Sequence, residues 1–159
     1  MTIEFTLETD LTDELWYEII ELDSKFWGNT THVSVLGIEF KPEKQVYQMI
    51  ANQGNLVMTL GRDTETGQLS CVAVGSLSRY IENPKYLTVD NFVFVVDKGS
   101  QSIKTLSKFL TKIEELMKSK GIDLVSFNIP DNLCSKAVKE FFIKKGFIPS
   151  MVTFHKRIN

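Results

Sequence analysis

Tyr86–Gly121 reads YLTVDNFVFVVDKGSQSIKTLSKFLTKIEELMKSKG, and the order of its parts decides the architecture. Tyr86 to Val96 is dense in valine and phenylalanine and bounded by polar residues, the mark of a buried strand. A short polar loop containing Gly99 follows. Leu106, Phe109, Leu110, Ile113, Leu116 and Met117 then recur on one side of a helix of about four turns, which Gly121 stops. A helix that follows a strand in this way aims free backbone N–H groups beyond the strand's end, which is how proteins hold phosphates.

On the N-terminal side, Ile3, Phe5 and Leu7 alternate with polar residues as a half-buried strand. Asp10 and Thr12 offer caps for a helix with Leu15, Ile19, Leu22 and Phe26 on one face, ended by Gly28 and Asn29. Trp16 and Phe26 are expected in the packing of that helix, and Trp27 at an exposed contact. Thr30–Phe40 is open between strand and irregular loop. Pro42 suits the first turn of a second helix carrying Val46, Met49 and Ile50 and ending at Gly54. LVMTLGRD, the turn TETG and LSCVAVGSL read as an antiparallel hairpin. On the C-terminal side, Leu124–Ile129 is a short strand and Ser135–Lys145 a helix stopped by Gly146. Met151–Ile158 is a last strand.

The order β-α-α-β-β-β-α-β-α-β predicts an α/β (α+β) fold, a mixed, mostly antiparallel sheet covered by helices. The strands around Phe92 and Leu124 should be parallel, with the Leu106–Met117 helix as a right-handed crossover between them. At 159 residues a single domain over 1–159 is expected. The net charge of −2, with arginine only at Arg62, Arg79 and Arg157, gives no nucleic-acid footprint. Cys71 and Cys134 read as reduced thiols in or near the core. His32 and His155 lie far apart in sequence, and with no Cys-His cluster no metal site is expected. MTIEFTLETDLTDE has no basic start or apolar stretch, and no run reaches a membrane span. A cytoplasmic location follows as the expectation.

In layout, the strand-loop-helix of Tyr86–Gly121 and the KEFFIKKGF segment near the C-terminus resemble the acyl-CoA-binding core of the GNAT acyltransferase superfamily. In that family a strand ends in a hydrophobic residue, and five positions later Q/R-x-x-G-x-G/A opens the helix and binds the pyrophosphate of acyl-CoA. Registered on Gly121, the resemblance puts Val96 at the strand's last hydrophobic position. The motif then reads Gln101-Ser102-Ile103-Lys104-Thr105-Leu106, with Gly99 and Ser100 just before it. Gln101 matches, whereas Lys104 and Leu106 stand where small residues let a phosphate approach the backbone.

The resemblance makes Asp90 the candidate base, six residues before Val96. Flanked by Val89 and Phe92, its carboxylate is expected to be partly desolvated, with a raised pKa; the alternative is a strand residue facing solvent or capping a turn. The C-terminal pattern matches as Ser135-x-x-Val138-x-x-Phe141-Phe142-x-x-x-Gly146-Phe147. Ser135 stands where an asparagine often contacts the cofactor arm. Phe142 stands where a tyrosine commonly acts as general acid, and a phenyl ring has no proton to give. Tyr80 and Tyr86 are the substitute candidates, against simple packing or rim exposure.

These departures favour a GNAT-like domain with weakened or lost catalysis, acting as a binding or assembly module in a larger complex or viral particle. It would take a protein partner or pair with its own copies, and need no cofactor. The alternative is an N-acyltransferase using acetyl-CoA or another acyl-CoA on a small amine or protein amino group.

Overall fold

A computed structural model describes residues 2–97, 103–151 and 153–159. Two compact units make up the chain, residues 1–25 with 42–128 and residues 26–41 with 129–159.

The first unit is built on a five-stranded sheet in the order β1-β2-β3-β4-β5. The strands are β1 (Ile3–Glu8), β2 (Leu56–Asp63), β3 (Leu69–Arg79), β4 (Leu87–Val96) and β5 (Leu124–Phe127). Neighbours are antiparallel except β4 and β5, which are parallel and joined through α4 (Ile103–Ser119), as the periodicity predicts. Phe109, Leu110, Ile113 and Met117 of α4 are buried, one stripe of the helix. Phe109, fully buried, stacks between Phe5 of β1 and Phe94 of β4, with ring centroids 5.5 and 5.8 Å away. Gly121 ends the helix at φ +70°, where Ile122 N–H reaches the Met117 carbonyl and Gly121 N–H that of Lys118.

The β2–β3 hairpin turns on Asp63, whose carboxylate accepts the N–H groups of Glu65 and Thr66 at 2.8 and 3.0 Å. Those two donors hold its pKa below the usual carboxylate range. Cys71 of β3 is wholly buried, and burial, with the Asp97 charge adding, pushes its thiol up to about 12.

The helix α1 (Asp13–Trp27) begins at Thr12, whose Oγ1 accepts the Leu15 N–H, and buries Leu15, Trp16, Ile19 and Leu22. Glu18 on it meets Arg62 of β2 through both guanidinium nitrogens, and that contact holds Glu18 down and Arg62 up in pKa. The helix α3 (Lys44–Asn52) differs from its expected stripe: Val46 and Met49 are exposed, while Tyr47 turns inward.

In the second unit, Thr30–Phe40 is neither strand nor plain loop, because Thr31–Ser34 forms a one-turn helix, α2. Asn132 ties it down, its Oδ1 accepting the Thr31 N–H and hydroxyl at 3.1 and 2.7 Å. The helix α5 (Lys136–Lys144) is capped by Ser135 and stopped by Gly146 at φ +88°, after which Phe147 folds back on Phe142 at 5.3 Å. The fold also brings together His32 and His155, which sequence separation had kept apart: their rings lie 4.9 Å from each other. Among the described residues no group of three His, Cys, Asp or Glu gathers to hold a metal.

The expected last strand, Met151–Ile158, does not form among the described residues. Residue types alone supply no ladder, and a strand exists only where a partner takes its N–H and C=O groups. Met151, Phe154 and Ile158 are instead 83%, 90% and 78% exposed. Among the described residues no helix is long and apolar enough to cross a membrane.

Candidate functional site

β4 carries the centre of the candidate site. It pairs with β5 only from Thr88 to Asn91, opposite Leu124 to Phe127, yet it continues for five residues to Val96. Asn91 marks the end of the shared ladder. Its side chain, 1% exposed, donates to the Ser126 carbonyl at 3.0 Å, and its own carbonyl accepts the Asn128 N–H at 3.3 Å. On the other side of β4 the register against β3 slips at the same point: Gly75 pairs with Asn91 and Val74 with Val93, leaving Phe92 as the extra residue of a bulge. Gly75 is required there, since a Cβ would come within 2.6 Å of Val89 and 2.9 Å of the Asn91 side chain.

Asp90 sits in the last part of this ladder, opposite Ser126, whose hydroxyl donates to its Oδ1 at 2.6 Å. The Asp90 side chain is exposed, so Val89 and Phe92 do not enclose it. Val96 is buried at the strand end, and the next residue, Asp97, donates its N–H to the Ser70 carbonyl at 2.8 Å. Gly99, Ser100, Gln101 and Ser102 lie outside the described residues. Ile103 and Lys104 form the first turn of α4, both exposed, and that turn contains no acidic residue. Leu106 is half-buried.

Tyr80 and Tyr86 close the connection between β3 and β4. Tyr80 N–H donates to the Tyr86 carbonyl at 3.0 Å, and their side chains are 42% and 47% exposed. In the other unit, the Ser135 hydroxyl is engaged as the cap of α5, accepting the Val138 N–H at 3.3 Å. Phe142 is half-buried against Phe141 and Phe147.

A second group on the first unit has no counterpart in the sequence-based candidates. Tyr47 of α3 meets Trp16 of α1 edge-on at 4.7 Å and the bulged Phe92 edge-on at 5.5 Å. Burial pushes the Tyr47 phenol up to about 12, and the nearby charge of Asp23 adds to the shift. Asp23 itself is half-buried on α1, and burial raises its carboxyl to about 6. A signal was there to be read: Asp23 stands four residues after Ile19 and seven after Trp16, on the face that faces the core.

No family model and no curated protein matches the chain. Solved structures do, over nearly its whole length. One is an aminoglycoside acetyltransferase, HMB0005, from an uncultured soil metagenomic sample, 11% identical, covering 100% of both chains with a TM-score of 0.69. Another is glucosamine-6-phosphate N-acetyltransferase from Arabidopsis thaliana, 15% identical, covering 98% of this chain and 99% of its own with a TM-score of 0.66. A third is a predicted acetyltransferase with acetyl-CoA from Clostridium acetobutylicum, 10% identical, covering 98% and 96% with a TM-score of 0.66. The likeness is one of fold, and that fold is GNAT-like.

Proposed function

From a chain with the GNAT-like fold, we propose an acyl-CoA-dependent N-acyltransferase acting on a small amine. The observation that carries this reading is the short β4–β5 ladder. A parallel pair that shares only Thr88–Asn91 and then sends β4 on to Val96 and α4 has the form in which α/β sheets take ligands, beyond the carboxyl ends of parallel strands. The exposed first turn of α4, free of acidic side chains and carrying Lys104, suits an anion such as a pyrophosphate. Val96, Gly99, Ser100, Gln101, Ser102, Ile103 and Lys104 are the residues proposed to line that group.

In the reaction the amine nitrogen forms a bond to the thioester carbon and the carbon–sulfur bond breaks. Asp90 is the proposed base. Ser126 donates to one of its oxygens, which fixes the carboxylate and leaves the other oxygen to take the proton of the amine, directly or through a water. The family's tyrosine position is occupied by Phe142, which has no proton to give, so the proton for the departing sulfur is assigned to solvent or to the hydroxyl of Tyr80 or Tyr86. Titration calorimetry with acetyl-CoA, followed by thiol release in the presence of mixed amines, tests the reading. Micromolar binding with amine-dependent release is expected; no binding at millimolar concentration overturns it.

One observation favours the second reading, a GNAT-like binding or assembly module with weakened or lost catalysis. Ile148, Met151, Phe154 and Ile158 expose large apolar side chains within one short stretch, where single scattered ones are the rule. A protein silent toward acetyl-CoA that sediments as an oligomer supports it.

A further inference from the structure

We infer that Asp23 and Tyr47, with the rings of Trp16 and Phe92, form a subsite for a cationic ammonium group of the amine acceptor. The inference rests on the acyltransferase reading for its word acceptor, and on the geometry of α1, α3 and β4 for the rest. Asp23 is half-buried, and among the described residues no hydrogen bond or ion pair reaches it, whereas Asp13, Glu18 and Glu21 on the same helix all meet a lysine or arginine. A carboxylate removed from water without a partner works against folding. Burial is what raises its pKa, and among the described residues no cation pairs with it.

The surroundings specify what fits. Tyr47 stands between Trp16 at 4.7 Å and Phe92 at 5.5 Å, both edge-on, and Asp23 lies near enough for its charge to act on the Tyr47 phenol. Aromatic faces attract a cation and repel an anion, and a phenol oxygen accepts a hydrogen bond from an ammonium. A guest with a primary ammonium next to a short apolar or aromatic stem suits the acid, the phenol and the exposed Phe92 ring, with the buried Trp16 backing Tyr47. A carboxylate or a phosphate meets the acid unfavourably, and a neutral guest leaves its charge uncompensated. Phe92 also connects this subsite to the chemistry, since it lies two residues beyond Asp90 on the same strand and is exposed by the bulge.

The test uses the whole protein without acetyl-CoA, so that it reads the subsite rather than the reaction. Phenethylamine, 1,5-diaminopentane and the neutral 2-phenylethanol are titrated while the indole N–H signals of the two tryptophans, Trp16 and Trp27, are followed by NMR. At least one amine should bind and shift the Trp16 signal, about tenfold more tightly than the alcohol. Asp23→Asn, which removes an unpaired charge and keeps the shape, should abolish that preference, and Tyr47→Phe should weaken it without unfolding the helix. Acetyl-CoA affinity, measured alongside, should be the same in all three proteins. Amine binding that persists undiminished in Asp23→Asn, equal binding of amine and alcohol, or no binding of either amine overturns the inference. Loss of acetyl-CoA binding with amine binding intact overturns the acyltransferase reading instead.

Discussion

Asp90 and Asp23 are carboxylates of the same unit, and their surroundings are opposite. Asp90, on the β4–β5 edge, is exposed and accepts a 2.6 Å hydrogen bond from Ser126. Asp23, on α1 beside the Trp16–Tyr47–Phe92 rings, is half-buried, has no bond among the described residues, and has a carboxyl pushed up to about 6. Spacing from the end of a strand singles out Asp90, and burial singles out Asp23. Position along a motif speaks to where a substrate's reacting atom would lie, whereas an unpaired buried charge speaks to what the rest of the substrate would have to supply. The two regions are therefore expected to fail differently when altered.

The largest effect belongs to Asp90. Asp90→Asn should lower the rate of amine-dependent thiol release by roughly a hundredfold or more, with acetyl-CoA affinity unchanged, because a positioned base typically supplies that much. Asp23→Asn should instead raise the KM for the amine and leave the rate at saturation nearly intact. If both variants lose rate at saturation and neither changes KM, the division of labour between the two carboxylates is broken.

Stability should separate them next. The folded-state pKa of Asp23, about 6, lies above its unfolded value of 3.8. The folded protein thus holds the proton more tightly, and the contribution to stability is fully present below the unfolded value and lost as pH rises through about 6. Replacing the acid by Asn should consequently raise stability at pH 8 by ~1–3 kcal/mol, with Tyr47 as the neighbouring group that shares the change, and should alter the pH 4 value little. Urea unfolding at the two pH values measures this. A variant less stable at pH 8 than the wild type would mean that Asp23 has a partner in the folded state. Natural proteins keep such a liability where function needs it.

How much of this was legible depended on whether the signal was local. Gly121 and Gly146 mark helix ends because only a left-handed residue completes those hydrogen bonds, and the structure places both at positive φ. The parallel pairing of β4 and β5 was legible too, since a strand, a helix of the right period and a second strand leave few alternatives. Met151–Ile158 misled, because residue types alone cannot report whether a neighbouring ladder is available. Val46 and Met49 misled for a related reason: three apolar residues define a face only when the partner surface is known, and the rings of Trp16 and Phe92 draw Tyr47 inward instead. The proximity of His32 and His155 is likewise a product of tertiary folding alone. Asp23 was the exception, a local signal passed over, a charge in the middle of an apolar stripe.

The site at the start of α4 offers a milder contrast with both carboxylates. Lys104→Glu adds like charge beside a bound pyrophosphate while leaving an exposed side chain exposed. Acetyl-CoA affinity should fall by about three- to tenfold, and less at high salt, because a solvent-facing charge is screened. Urea stability should stay within about 0.5 kcal/mol of the wild type, as for most surface changes. An affinity that does not move puts the anion elsewhere than the first turn of α4.

Ser126→Ala gives the smallest change and the finest resolution of the opening contrast. The hydroxyl donates to an exposed carboxylate, so water can replace it on both sides and the loss of stability should be only about 0.5–1 kcal/mol. Its effect on rate carries more information. If Ser126 serves to hold Asp90 in one rotamer, the alanine variant should lose about three- to tenfold in the rate at saturation, and Ser126→Thr, which keeps the donor, should recover most of it. The amine KM should be the same in all three proteins, since nothing at Asp23 or Tyr47 has been touched. A KM that rises in Ser126→Ala would show that the β4–β5 edge also holds the acceptor, and the two carboxylates would then belong to a single site rather than to two with separate tasks.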